Sequence, residues 1–268
     1  MKKTILHIVS FLAGLLAVSA SAQVFVGSDD FSGLSIPGNN WDYQQRITGY
    51  TGNGLLGVTA NRLDFTKGAG NGSSLIGWNN DHDTGTLGSV VASSYTTSWQ
   101  MDLTVTNTQA STTGISSVIG FEATDSTGNY YEFVLSSTDG GNWFHVENTG
   151  ANLVNPVAAD TTDVFLRMTW DAGAQTLATY YSYDGSAYSL ANTFNPVGTW
   201  NANLSNGFWF EVFALSNDPG AITAGSMYAD NFSLTAVPEP SAYAACAGLA
   251  ALGLAAWRRR TKASPALA

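Results

Sequence analysis

The densest set of oxygen ligands in this chain is Asn79-Asn80-Asp81-His82-Asp83. Calcium takes about six to eight oxygens from carboxylates, amides and carbonyls, so a loop led by Asp81 and Asp83 could hold a structural Ca2+. Asn and Asp also build solvated turns unaided, and both readings stand. Asp29, Asp30 and Asp230 form a second metal candidate, provided that the first and last strands of the domain meet.

Cleavage of a glycosidic bond needs two carboxyl groups roughly 5–10 Å apart. A Glu-x-Asp-x-Glu run would supply them from one strand, because alternate residues share a face. No such run occurs: Glu122 and Asp125 face opposite ways on a strand, while Glu132 and Glu211 each stand alone in their strands. Neither Gly-x-Ser-x-Gly nor His-Glu-x-x-His is present. His7 lies in an apolar leader, which leaves His82 and His145. His145, between Phe144 and Val146, reads as a strand-surface residue. No residue is assigned to catalysis, and the expectation is a protein that is not an enzyme.

Sugar binding asks instead for exposed aromatic faces. Trp99, Trp170 and Trp209 fall within apolar strands and are expected in the core. Trp41, Trp78, Trp143, Trp200, Tyr183 and Tyr188 fall at strand ends or in loops; Trp78, Trp143, Tyr183 and Tyr188 are the preferred ligand platforms.

The elements that must position these residues repeat with a period of two. Trp99, Met101, Leu103 and Val105 alternate with polar neighbours, as do Val164, Leu166, Met168 and Trp170. Around Phe208, Phe210 and Val212 both faces are apolar, as expected of a central strand. Further strands are expected at 24–31, 62–66, 90–94, 115–123, 130–136, 143–147, 176–182 and 227–234. Turn signals separate them at Thr127-Gly128-Asn129, Asp139-Gly140-Gly141, Asp171-Ala172-Gly173 and Asp184-Gly185. The last predicts a tight hairpin joining 177–183 to 186–190. No amphipathic helix, linker or internal repeat stands out. The chain predicts an all-β, antiparallel β-sandwich or jelly roll over residues 23–236.

Charge narrows the partners. Between the two ends the cations are Arg46, Arg62, Lys67 and Arg167, set against about nineteen carboxylates. Such a surface repels phosphate backbones, which argues against nucleic acid. The single cysteine, Cys246, lies outside this region, so no disulfide can form within the domain.

Both ends look like transport signals. Lys2 and Lys3, an apolar run from Ile5 to Val18 and Ala20-Ser21-Ala22 make residues 1–22 a secretory signal peptide, cleaved after Ala22 by signal peptidase. Near the other end, residues 241–257 are almost all Ala, Leu and Gly. As a helix they span roughly 26 Å, the lower limit for a single transmembrane helix. Arg258, Arg259 and Arg260 would stay cytoplasmic. Pro238-Glu239-Pro240 holds an extended segment just before that helix. Residues 263–268 read as a disordered tail.

Pro-Glu-Pro, an apolar helix and an arginine cluster together resemble the PEP-CTERM sorting signal of Gram-negative bacteria, here over residues 237–262. The resemblance implies an inner-membrane precursor, cut near Pro238-Glu239-Pro240 by an exosortase, and a cell-surface or extracellular product. Such proteins often accompany extracellular polysaccharide and biofilm. A second resemblance rests on SDDFSG, RMTWDAGAQTLATYYSYDG and YADNFSL, which are similar to concanavalin A-like lectin/glucanase sandwiches. It implies that the first and last strands pair, bringing Asp29, Asp30 and Phe31 near Asp230, Asn231 and Phe232. A carbohydrate-binding-module jelly roll is the alternative. The reading reached is a non-catalytic, polysaccharide-associated sandwich; the alternatives are a structural matrix protein without a ligand and a divergent glycan hydrolase.

Overall fold

Alternation of apolar and polar side chains commits most of the domain to strands, and the apolar faces then meet. The computed structural model describes residues 27–29, 42–44, 54–70, 74–79, 95–110, 113–125, 127–138, 140–149, 157–159, 161–200, 207–237, 248 and 251–254. For 27–29, 42–44, 74–79 and 157 the description is of backbone alone. Within these residues lie β1 (Gly27–Asp29), β2 (Asp42–Gln44), β3 (Gly54–Val58), β4 (Leu63–Lys67) and β5 (Ser74–Asn79). Then come β6 (Trp99–Asn107), β7 (Ser116–Thr124), β8 (Tyr130–Thr138), β9 (Gly141–Asn148) and β10 (Val157–Ala158). The chain continues through β11 (Asp163–Asp171), β12 (Thr176–Ser182), β13 (Ser189–Phe194), the short helix α1 (Pro196–Thr199), β14 (Trp209–Ser216) and β15 (Met227–Ala236).

These strands form two antiparallel sheets. One runs β13-β12-β11-β6-β15-β4-β3, with β1 also pairing β15; the other runs β10-β9-β8-β7-β14-β5-β2. The inward faces pack on each other. Trp99, Met101, Leu103 and Val105 of β6 and Leu166, Met168 and Trp170 of β11 meet Phe121, Phe133, Phe144, Phe210 and Val212 of the second sheet. Aromatic rings cross the interface: Trp99 lies edge-on to Phe210 at 4.9 Å, and Phe144 stacks on Tyr181 at 4.2 Å. Tyr131 stacks on Phe194 at 5.2 Å. Each such pair adds about 0.5–1.5 kcal/mol beyond the area it buries.

The expected period-two strands match β6, β7, β8, β9, β11, β12, β14 and β15 to within a few residues. As expected, β14 is interior to its sheet. The hairpin at Asp184-Gly185 is looser than its sequence implies. β12 ends at Ser182 and β13 begins at Ser189, because Asp184 builds an extended cap. Its Oδ1 accepts from the Ser186 and Ala187 amides at 2.8 and 2.9 Å. The pairing also shifts register between Thr179 and Tyr180. Four strands lacked a sequence signal: β2, β3, β5 and β10.

Two tryptophan assignments change. Trp200, expected in a loop as a platform, is 7% exposed and joins the core beside Phe194. Trp209 is buried, yet alternation places it opposite the core face, next to Phe210. The expected strand at 90–94 and the signal peptide lie outside the described residues. Residues 251–254 are helical. Among the described residues no helix is long and apolar enough to cross a membrane, and most of the expected span lies outside them.

Candidate functional site: a carboxylate row in a groove

Strand register assembles what no single strand contains. Glu211 on β14 pairs with Glu122 on β7, Glu122 with Glu132 on β8, and Glu132 with Glu147 on β9. These are all four glutamates of residues 23–236, and they form one transverse row. The row continues by register through Asn79 on β5 to Asp42 on β2. All four glutamates alternate with core residues such as Phe121, Phe133, Val146 and Val212, so the row lies on the outer face of the seven-stranded sheet. Glu132 and Glu211 are each the single carboxylate of their strands, as the sequence reading has it, and it is strand register that sets each beside another carboxylate.

The row crosses a groove of about 470 Å³ whose lining includes Glu122, Tyr130, Glu132, His145, Glu147 and Phe213. Between Val118 and Glu122 the chain has Gly120, where a Cβ would stand 2.2 Å from the Phe133 carbonyl oxygen. Glu122 and Glu211 are buried, while Glu147 is about one third exposed. Like charges set directly opposite each other destabilise a sheet, so the row carries a folding cost.

Hydrogen bonding orders one end. The Tyr130 hydroxyl donates to Glu147 Oε1 at 2.9 Å. His145 Nε2 lies 3.6 Å from Glu147 Oε2, an ion-pair distance too long for a hydrogen bond. The neighbouring imidazole, helped by the Tyr130 hydroxyl, holds the Glu147 carboxyl below the ordinary carboxylate range despite its burial. Burial pushes the Tyr130 hydroxyl well above the ordinary tyrosine value, and its bond to Glu147 and the charges of Glu147, Glu132 and Glu122 push it the same way. Oxygen and nitrogen atoms of Glu132, His145 and Glu147 all lie within 4.8 Å of one another. His145, expected as plain strand surface, is half-buried in the groove.

The residues singled out in the sequence are not gathered here. Trp143 pairs with Ser136 on this face, and its Nε1 donates to the Thr138 carbonyl at 3.1 Å. Tyr183 is 42% exposed, rests against Phe144 and Tyr181, and donates to the Ala158 carbonyl. Tyr188 belongs with the other sheet: the Arg167 guanidinium covers its ring at 3.7 Å and reaches Asp102 at 2.6 Å. Burial, and then the Asp102 charge, raise its hydroxyl above the ordinary value. Trp78 pairs by register with Val212. Strands β1 and β15 do pair, with Asp29 opposite Phe232, and Asp230 accepts from the Asn231 amide at 2.7 Å. Asp30, Asp81, Asp83, Ala20, Ala22, Pro238, Glu239, Pro240, Arg258, Arg259 and Arg260 lie outside the described residues.

The PEP-CTERM protein-sorting motif matches residues 236–260, which indicates an exported protein with a C-terminal sorting signal. No curated protein matches this chain. Similar solved structures include a GH43 protein from Bacillus licheniformis, 17% identical over 78% of this chain with a TM-score of 0.49. The match spans 39% of that protein's length. Peanut lectin is 12% identical over 81% of this chain and 100% of its own, with a TM-score of 0.47. Metal-free lectin I-B4 from Griffonia simplicifolia is 10% identical over 80% and 100%, also at 0.47.

Proposed function

We propose that the protein is cut near Pro238-Glu239-Pro240 by an exosortase and works at the cell surface or in the matrix as a non-catalytic, polysaccharide-binding sandwich. Before cleavage the segment 241–257 holds it in the inner membrane with the arginines inside. The pairing of β1 with β15 supports a concanavalin A-like arrangement of the sandwich. The observation that carries the binding reading is the carboxylate row crossing an outer-face groove. A carboxylate offers two acceptor oxygens to neighbouring sugar hydroxyls, and Tyr130 and Phe213 add ring surface beside them. Among the described residues no lysine or arginine lines the groove, so its field favours neutral or amine-bearing glycans over uronic-acid polymers.

A screen of the full chain against neutral, amine-bearing and anionic polysaccharides, with chelator and with calcium, tests this. Retention by the first two classes, reduced in Glu122→Gln, is expected; binding to none refutes it. Replacing Pro238, Glu239 and Pro240 with alanines should leave full-length protein in the membrane, and unchanged release would refute the sorting step.

One observation favours a second reading. Carboxylate oxygens of Glu132 and Glu147 lie no more than 4.8 Å apart, within the reach of the paired carboxyl groups, about 5 Å apart, of retaining glycoside hydrolysis. Release of reducing ends from a bound glycan, abolished in Glu132→Gln, would establish it; no release would remove it.

A further inference from the structure

We propose that Glu132, His145 and Glu147 form a binding site for a divalent first-row transition ion of the zinc class. Glu132 and Glu147 face each other across the β8–β9 ladder, and His145 sits two residues before Glu147, opposite Val134. All three side chains therefore project from one face of a two-stranded ribbon. Their ligand atoms already lie within 4.8 Å of one another. Tetrahedral zinc, with bonds of about 2.0–2.1 Å, holds its ligands roughly 3.3 Å apart. His145 Nε2 and Glu147 Oε2, at 3.6 Å, need to close by only a few tenths of an ångström. Glu132 closes the rest by rotation of a flexible side chain.

Three further observations point to an ion here. Among the described residues His145 Nε2, sealed from solvent, has no hydrogen-bond partner, its nearest carboxylate oxygen being Glu147 Oε2 at 3.6 Å; this is an unusual state for a buried nitrogen and one that metal ligation satisfies. The Tyr130 hydroxyl occupies Glu147 Oε1, which leaves Oε2 turned toward His145; ligating carboxylates are commonly oriented this way. Two carboxylates and a neutral imidazole match the charge of a dication. Glu122, paired with Glu132 in the row, extends the negative field.

The donor set also chooses the ion. One imidazole nitrogen with two carboxylates suits zinc and its neighbours, whereas calcium takes oxygen alone. Three protein ligands leave a fourth position open, and the groove lies over it. The site stands independently of whether a glycan enters the groove.

The test uses the full-length chain, stripped with chelator and titrated with zinc chloride alone by calorimetry. One saturable ion per chain is expected, undisplaced by millimolar calcium. His145→Ala and Glu132→Gln should each weaken it at least tenfold, while His82→Ala should not. Cobalt loading should give a visible absorption band that His145→Ala abolishes. Circular dichroism checks that the variants fold, and Glu147→Gln, which keeps side-chain shape, provides a second variant. No saturable binding at roughly 100 µM zinc, or equal affinity in His145→Ala, overturns the proposal. Glycan retention measured in chelator is a separate readout, so loss of one leaves the other interpretable.

Discussion

Replacing Tyr131 with phenylalanine should make the protein more resistant to alkali while changing little at neutral pH. The Tyr131 ring is fully buried, stacked on Phe194 with an interplanar angle of 11°. Among the described residues its hydroxyl meets Thr179 Oγ1, at 3.5 Å. Burial pushes the hydroxyl up to about 12, against a slight lowering by that contact. A tyrosine in the unfolded chain ionises near 10. Stability tied to this group is therefore complete below about pH 10 and is lost as pH rises through 12, because the unfolded chain releases its proton first. At pH 11 the difference between the two states is about 1.4 kcal/mol. Tyr131→Phe keeps the ring and removes the proton. Urea unfolding at pH 7 should show the variant within about 1 kcal/mol of the parent, since one long contact is lost. At pH 11 the variant should have gained about 1.4 kcal/mol relative to the parent. If the difference between the two proteins is the same at both values, the buried phenol does not titrate as argued.

Lys67→Met should cost about 1–3 kcal/mol in urea unfolding, because the carbonyls that the buried ammonium ties together lose their charged donor. The Lys67 ammonium is almost fully buried and donates to the carbonyls of Gly68, Gly70 and Gly220 at 3.3–3.5 Å and to that of Asp218. Gly120→Ala should cost about 1–3 kcal/mol and lower the melting temperature, since the new methyl meets the backbone of Phe133 and Val134. The Asp184 carboxyl, held far below the ordinary range by the Ala187 and Ser186 amides and the Ser182 hydroxyl, should stay ionised in an NMR titration down to pH 2. Its support of the β12–β13 turn is present above about pH 4 and is lost progressively as pH falls from there toward the far lower native value. Asp184→Ala should speed amide exchange at Ser186 and Ala187 without a global change, and unchanged exchange would count against the cap.

Much of the fold was legible because alternation is a local property. Trp99 to Val105 and Val164 to Trp170 state their buried faces directly, and both runs are strands with those faces inward. The misses have physical causes. In β3 the residues Gly54, Leu55, Leu56, Gly57 and Val58 carry no alternation, and the strand is held by pairing with β4. Trp200 lies just past a four-residue helix capped by Asn195, and this turn folds the indole back onto Phe194. No periodicity could reveal that.

The site shows where a sequence keeps its chemistry out of sight. A search along one strand for paired carboxylates finds nothing, since β7, β8, β9 and β14 each carry a single glutamate. Half of the row nevertheless follows from turns visible in the sequence. The turn signal Asp139-Gly140-Gly141 falls where Thr138 faces Gly141, and counting back along both strands then sets Glu132 against Glu147 and Val134 against His145. The loop around Thr127-Gly128-Asn129 makes Thr124 face Tyr130 and so sets Glu122 against Glu132. Its length is less binding on register, and here Asp125 fixes it by accepting from the Thr127 and Asn129 amides. Glu211 is different. It reaches Glu122 across a pairing of β14 with β7 that no local turn dictates. The end of the row that local hairpins define is the end where Glu132, His145 and Glu147 converge. The proposed ion site therefore depends on one hairpin and its outer-face side chains, whereas the groove as a whole needs the complete sandwich.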